Sequence, residues 1–148
     1  MSLTLSLEIV TPDKVVLRCD AAAVTAPGVA GEFTALPLHV PFLSALRIGS
    51  LHYRGATQNG TVFVSGGFAD VTRDKVLILA EVAELPEEID VDRARKARER
   101  ALARILAVHK EDIDYFRART ALERAVTRIK VYELSASGLG AVRLPRHA

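Results

Sequence analysis

The hydrophobic period of this chain changes once, near Pro86, and no other feature limits its fold so strongly. Before that point the apolar residues alternate. Leu3, Leu5, Leu7 and Ile9 fall on one side, with Thr4, Ser6 and Glu8 on the other, the period of a half-buried strand. After it they return every three or four residues: Ala94, Ala97, Ala101, Ile105 and Val108, then Tyr115, Ala118, Leu122, Ala125, Ile129 and Tyr132. That is the spacing of an amphipathic helix. The expected organisation is therefore a β domain over residues 1–85, a helical hairpin over 86–134 and a loose tail over 135–148 containing Gly138 and Gly140. Charge divides at the same place: six Lys/Arg against eight Asp/Glu before residue 86, fourteen against ten from it onward.

Within the first part, Pro12-Asp13 and the run Thr72–Lys75 read as turns. Asn59-Gly60 lies between two strand-like runs and predicts a tight hairpin turn, since both residues accept positive φ. The Gly66-Gly67 pair inside TVFVSGGFADV predicts a bulge or a close backbone approach. Many short strands joined by regular turns indicate a β-sandwich or barrel.

In the second part Asp90 is the expected N-cap of a first helix, and His109–Asp112 is a polar break before a second. Two helices joined by so short a link form an antiparallel hairpin. Its seam is rich in alanine. A buried Leu or Phe contributes roughly 1.5–3 kcal/mol and Ala much less, so the helices approach closely but hold one another weakly. The expected hairpin is able to open.

The search for chemistry is mostly negative. His39, His52, His109 and His147 lack the spacing to one another, to Cys or to carboxylates that a metal site needs. Cys19 is the sole cysteine, which rules out an internal disulfide, fits a reducing compartment, and in a strand reads as a small buried hydrophobe. The segment GVAGEF has too few glycines, and no following Lys, for a phosphate loop, and there is no Gly-x-Ser-x-Gly elbow. A small hydrolase using His39 or His52 with Ser44 finds no motif context. No catalytic residue and no catalytic cofactor are expected. The start of the chain shows no charged-then-apolar leader and no apolar run reaches membrane-spanning length, so the expectation is a cytosolic chain, free or seated on a membrane complex.

The arginines are the unusual feature. Arg93, Lys96, Arg100 and Arg104 step along one face of the first helix, and Arg117, Arg124 and Arg128 share a face of the second. One reading is a solvated face laced by pairs such as Asp92–Lys96 and Arg95–Glu99. Another is an anion site in which guanidinium forks clamp a polyphosphate. A third, an adaptor whose basic hairpin binds an acidic protein or RNA, stays open, although these faces lack aromatics for base stacking.

The run GEFTALPLHVPFLSALRIG, residues 31–49, is apolar but broken by Pro37 and Pro41. The prolines bar a central strand and favour corners and edges. Phe33, Leu36, Phe42 and Leu43 are the expected anchors in the core, leaving Glu32 and His39 as the polar, exposed part.

This run resembles the Gly-Glu/Asp-x-x-x-x-Pro-Gly-His-x-Pro segment of the epsilon subunit of bacterial F-type ATP synthases. VFVSGGFADVTRDKVLILAEVAE resembles the Ser-Gly-Gly-Phe strand of that family and the strand after it, and IDVDRARKARERA and DIDYFRARTALERAVTRIKVYEL resemble its two C-terminal helices. The pieces follow in order from about residue 3 to residue 134. The resemblance implies a ten-stranded β-sandwich followed by a helical hairpin, in a non-catalytic rotor subunit. It implies a sandwich that binds the gamma subunit and rests on the c-subunit ring through Glu32 and His39. It also implies helices that extend toward the catalytic alpha and beta subunits and inhibit ATP hydrolysis, at the cytoplasmic face of the bacterial inner membrane and with no nucleic-acid partner. Ile89, Asp90, Arg93 and Ala94 fill the family's Ile/Leu-Asp-x-x-Arg-Ala nucleotide motif, and Glu84, Arg100, Arg124 and Arg128 fall on further positions that implicate ATP as a regulatory ligand. Leu38 stands where the family often has Gly; Leu disfavours positive φ, so the loop is expected to take another path.

Overall fold

The computed structural model describes residues 3–56 and 58–137. Seven strands come first: β1 (Leu5–Val10), β2 (Val15–Gly28), β3 (Gly31–Ala35), β4 (Phe42–Leu46), β5 (Gly49–Gly55), β6 (Asn59–Val71) and β7 (Lys75–Glu84). A single 3-10 turn (Pro86–Glu88) leads into α1 (Val91–Ala107) and α2 (Ile113–Ala136).

The strand count corrects the expected ten. Two strands run unbroken where shorter ones were expected, and each changes partner midway. The β2 strand pairs with β1 through Val15–Ala21, then with β5 and β3. The β6 strand pairs with β5 through Asn59–Val64 and with β4 from Gly67 onward. A bulge between Ala21 and Ala23 permits the bending of β2. Gly66 and Gly67 take φ of 71° and 111°, yet the ladder to β7 keeps its register across them, from Ser65–Val82 to Gly67–Ala80. At Gly67 a Cβ would lie 2.8 Å from the Ala80 Cα and closer still to the Leu79 carbonyl oxygen, so the predicted close backbone approach is present. The β1 strand pairs antiparallel with β2 and parallel with β7, closing the sandwich around Leu5, Leu7, Ile9, Val24, Leu51, Val62, Val64, Val71, Val76 and Ile78, all fully buried. Leu3 does not join this row and is exposed.

The turns at Thr11–Lys14 and Thr72–Lys75 form as expected, each closed by a backbone hydrogen bond of 2.9 and 2.8 Å respectively. Asn59-Gly60 does not make the hairpin turn. The Gly55 N–H donates to the Gln58 carbonyl, which sets the turn earlier, while Asn59 and Gly60 pair within the ladder opposite Arg54 and Tyr53. Gly60 is needed for space there: any Cβ would fall on the Tyr53 ring.

Asp90 caps α1 as predicted, its carboxylate accepting from the Arg93 N–H at 3.1 Å. Ala94 and Ala101 of α1 and Ala118 and Ala125 of α2 are buried along the seam. The α2 helix continues through Ser135 and Ala136, so the first part of the expected tail is helical; the remainder, with Gly138 and Gly140, lies outside the described residues. No described helix is long and apolar enough to cross a membrane.

Candidate functional site

The hairpin lies folded against the sandwich, and α2 makes the contact. A second, small core forms there from Phe63 of β6, Ile89 of the linker and Val131 of α2, with Ile48 and Tyr132 packed beside it. Val131 is fully buried although it falls off the alanine seam. Its burial contributes roughly 1.5–3 kcal/mol to docking.

Two arginines of α2 flank this core and reach the sheet. Arg128 donates from Nε and Nη2 to the two carboxylate oxygens of Glu84 at 3.0 and 3.1 Å, and its guanidinium lies 4.6 Å from the Phe63 ring centre. Arg124 Nε donates to Ser65 Oγ at 3.2 Å, and Ser65 is itself buried. Glu84 ends β7, so the strand's last carboxylate and the helix's fork meet where the linker departs. On the other side of the linker, Lys14 pairs with Glu88, whose second oxygen accepts from the Leu85 N–H at 3.1 Å. These bonds hold the Glu88 carboxyl below the usual carboxylate range, with the Lys14 bond the main cause.

Of the residues expected to hold a nucleotide, Glu84 meets Arg128 and Ile89 joins the small core at Phe63 beside that pair, while Arg124, one turn earlier on α2, reaches Ser65. Asp90, Arg93 and Ala94 follow directly at the start of α1, where Arg93 is exposed and Ala94 buried. Arg100 stands apart: it lines a groove between the helices with Arg104, Asp114 and Arg117, over a floor of Ala97, Ala101, Ala103, Ala107, Ala118 and Ala121. The solvated-face pairs differ from those anticipated. Asp92 meets Arg95 at 3.5 Å, one residue earlier than Lys96, and Arg104 reaches Asp114 across the hairpin at 3.9 Å. The sheet-facing role of Arg124 and Arg128 had one visible signal, their four-residue spacing continuing toward Val131 and Tyr132.

At the far end of the sandwich is the loop 36–41. Leu38 takes φ 70°, the sole positive value at a described non-glycine residue, which overturns the expectation of a different path. The Leu38 N–H donates to the Arg73 carbonyl at 2.7 Å and the His39 N–H to the Leu36 carbonyl at 3.0 Å, and these bonds hold the left-handed turn in spite of the side chain. Phe33 and Phe42 anchor the loop, their rings edge to face at 4.8 Å. Leu36 and Leu43 point outward instead of inward, and with Leu38 and Val40 they form an apolar surface beside half-buried His39; Glu32, exposed at the start of β3, lies instead with Arg47 and Lys130 at the edge facing α2. His39 Nδ1 sits 2.6 Å from the Val40 carbonyl and its ring 5.0 Å from that of Phe42. His52 bonds Thr61, and Ser44 donates to the Ala45 carbonyl, so His39, His52 and Ser44 do not assemble. Among the described residues no group of three His, Cys, Asp or Glu could hold a metal.

The fold is of the class in which a β-sandwich carries a two-helix hairpin, here with basic forks at the junction. Residues 4–86 match the β-sandwich domain of the ATP synthase delta/epsilon chain, and residues 87–133 match the long α-helix domain of the same chain. The ATP synthase epsilon chain of Nitratidesulfovibrio vulgaris is 56% identical over 108 residues, 73% of this chain and 81% of that one. The epsilon chain of Lawsonia intracellularis is 48% identical over 106 residues, 72% and 80% of the two chains. A chain in the structure of the Euglena gracilis mitochondrial ATP synthase OSCP/F1/c-ring superposes with a TM-score of 0.71 at 26% identity, covering 92% of this chain and 81% of that one. The chain belongs to the ATP synthase delta/epsilon chain family. As such it is a non-catalytic subunit of that synthase.

Proposed function

We propose that this subunit works in the central stalk, with its sandwich bound to gamma and its Leu38–Val40 end seated on the c-subunit ring, Glu32 and His39 included. The likeness to a chain in an F1/c-ring assembly supports this, as does the apolar surface at that end. The complex then holds the subunit peripherally at the cytoplasmic face of the bacterial inner membrane.

The helical hairpin is the regulatory part. The observation that carries this reading is how little holds α2 down: one small core of Phe63, Ile89 and Val131 with Ile48 and Tyr132 beside it, the Arg128–Glu84 pair and the Arg124–Ser65 bond. Released, the basic helices extend toward the catalytic alpha and beta subunits and inhibit hydrolysis. ATP is a ligand of the folded form, held by Glu84, Ile89, Asp90, Arg93, Ala94, Arg100, Arg124 and Arg128. At a hundredfold excess over its Kd it adds about 2.7 kcal/mol to the state it binds, enough to decide a nearly balanced equilibrium.

The test is calorimetric titration of the isolated subunit with ATP, alongside Arg93→Ala. Saturable heat, weakened by the substitution, is expected. Absence of saturation at millimolar ATP removes the nucleotide part of the reading and leaves the stalk assignment standing.

A further inference from the structure

A polar cleft of about 160 Å³ lies between α2 and the sandwich, lined by Glu32 of β3, Arg47 of the β4–β5 link, Ser50 and His52 of β5, and Glu123, Thr127 and Lys130 of α2. His52 is half-buried at its floor, its Nδ1 3.0 Å from Thr61 Oγ1. With His52 neutral the two cations, Arg47 and Lys130, are matched by the two carboxylates, Glu32 and Glu123. We propose that His52 is a proton-sensitive element beneath α2, and that its protonation favours release of the hairpin from the sandwich.

The physical argument concerns what α2 brings. Docking covers the cleft and sets the Lys130 ammonium near the imidazole, and both disfavour a second positive charge there. Burial is the main cause that pushes the His52 pKa down, Lys130 adds to it, and Glu32 opposes. Glu32 belongs to the sandwich and stays when α2 leaves; Lys130 and Glu123 go with the helix. The sign follows from which state has the lower value. A histidine depressed in the docked state supports docking above its higher pKa in the released state, and that support is lost as pH falls below it. The docked-to-released ratio changes up to tenfold for each pKa unit separating the two states.

The proposal rests on the mobile hairpin proposed above, and the experiment separates the two. The full chain carries a spin-label pair, one on an exposed β3 position and one on exposed Glu133, and their distance is measured from pH 8 to pH 5.5. The expected result is a growing long-distance population below about pH 6.5, reduced severalfold in His52→Gln, which keeps a hydrogen-bonding side chain toward Thr61. Release with the same pH profile in His52→Gln overturns the histidine's role while upholding the mobile hairpin. A single short distance at every pH, in wild type and in a Val131→Asp variant built to undock α2, overturns the mobile hairpin itself. Independently, the His52 ring proton resonance in the full chain should titrate at higher pH in Lys130→Gln than in wild type; equal midpoints count against the proposal.

Discussion

Arg128 and Glu84 form a two-pronged pair, Nε to Oε2 at 3.0 Å and Nη2 to Oε1 at 3.1 Å, on the face of the Phe63 ring. Both side chains are about three-quarters covered. A planar fork over an aromatic face is a geometry that lysine cannot reproduce. Arg128→Lys should therefore weaken docking of α2 by about 1–2 kcal/mol, with the sandwich itself unaffected. Hydrogen exchange in α2 should accelerate about tenfold while exchange in β6 and β7 is unchanged. Equal acceleration in both would mean that the pair supports the whole fold and not the docking.

The loop 36–41 yields a second expectation. Leu38 adopts a conformation that costs an L-residue roughly 1–2 kcal/mol, and its side chain is largely exposed. Leu38→Gly relieves that strain and adds unfolded-chain entropy of about 0.5–1 kcal/mol. The urea midpoint should stay or rise slightly. If the Leu38 side chain meets the membrane ring, assembly of the synthase should fall in the same variant. A marked loss of stability would show instead that the side chain anchors the loop.

Gly67 gives the opposite result. With φ at 111° and the Leu79–Ala80 backbone against it, Gly67→Ala should destabilise the sandwich by roughly 3 kcal/mol. Thermal unfolding checks this, and a shift under 1 °C would contradict the close approach.

The linker sets an acid limb. Glu88 is held below the ordinary carboxylate range by Lys14 and the Leu85 N–H. A depressed carboxylate contributes stability above its unfolded-state pKa and loses it as pH falls through the folded one. Wild-type stability should fall from about pH 5 downward, and Glu88→Gln should flatten part of that fall. Glu8, depressed chiefly by its bond to Arg18 and also by Lys75, supplies a remaining share. Denaturant midpoints at successive pH values separate the two through the paired Glu8→Gln.

The β-to-α division, the Asp90 cap, the alanine seam and the close backbone approach at the diglycine were all legible, because each depends on local chemistry: period, capping oxygen, side-chain size, backbone freedom. What was not legible depends on what the chain meets elsewhere. Asn59-Gly60 has the composition of a turn, but Gly60 serves the Tyr53 ring across the ladder. Leu38 should avoid left-handed φ, but a hydrogen bond to the Arg73 carbonyl, far along the sequence, outweighs that preference. Val131 sits off the seam because α2 has two apolar duties, one toward α1 and one toward Phe63 and Ile89, and a single helical period records only the first. The arginines were visible as a row, whereas the partners of Arg124 and Arg128, Ser65 and Glu84, lie on strands whose register no spacing rule supplies.

The β6 strand spans thirteen residues, roughly 40 Å if fully extended. One end, at Val71, pairs with Phe42 beneath the loop 36–41; the middle of the strand carries Phe63 and Ser65, which seat α2. A push on the loop thus has a stiff rod to travel along, and the rod has one joint, the diglycine. Stiffening or loosening that joint would change how faithfully strain at one end of the subunit is felt at the other, without touching either end.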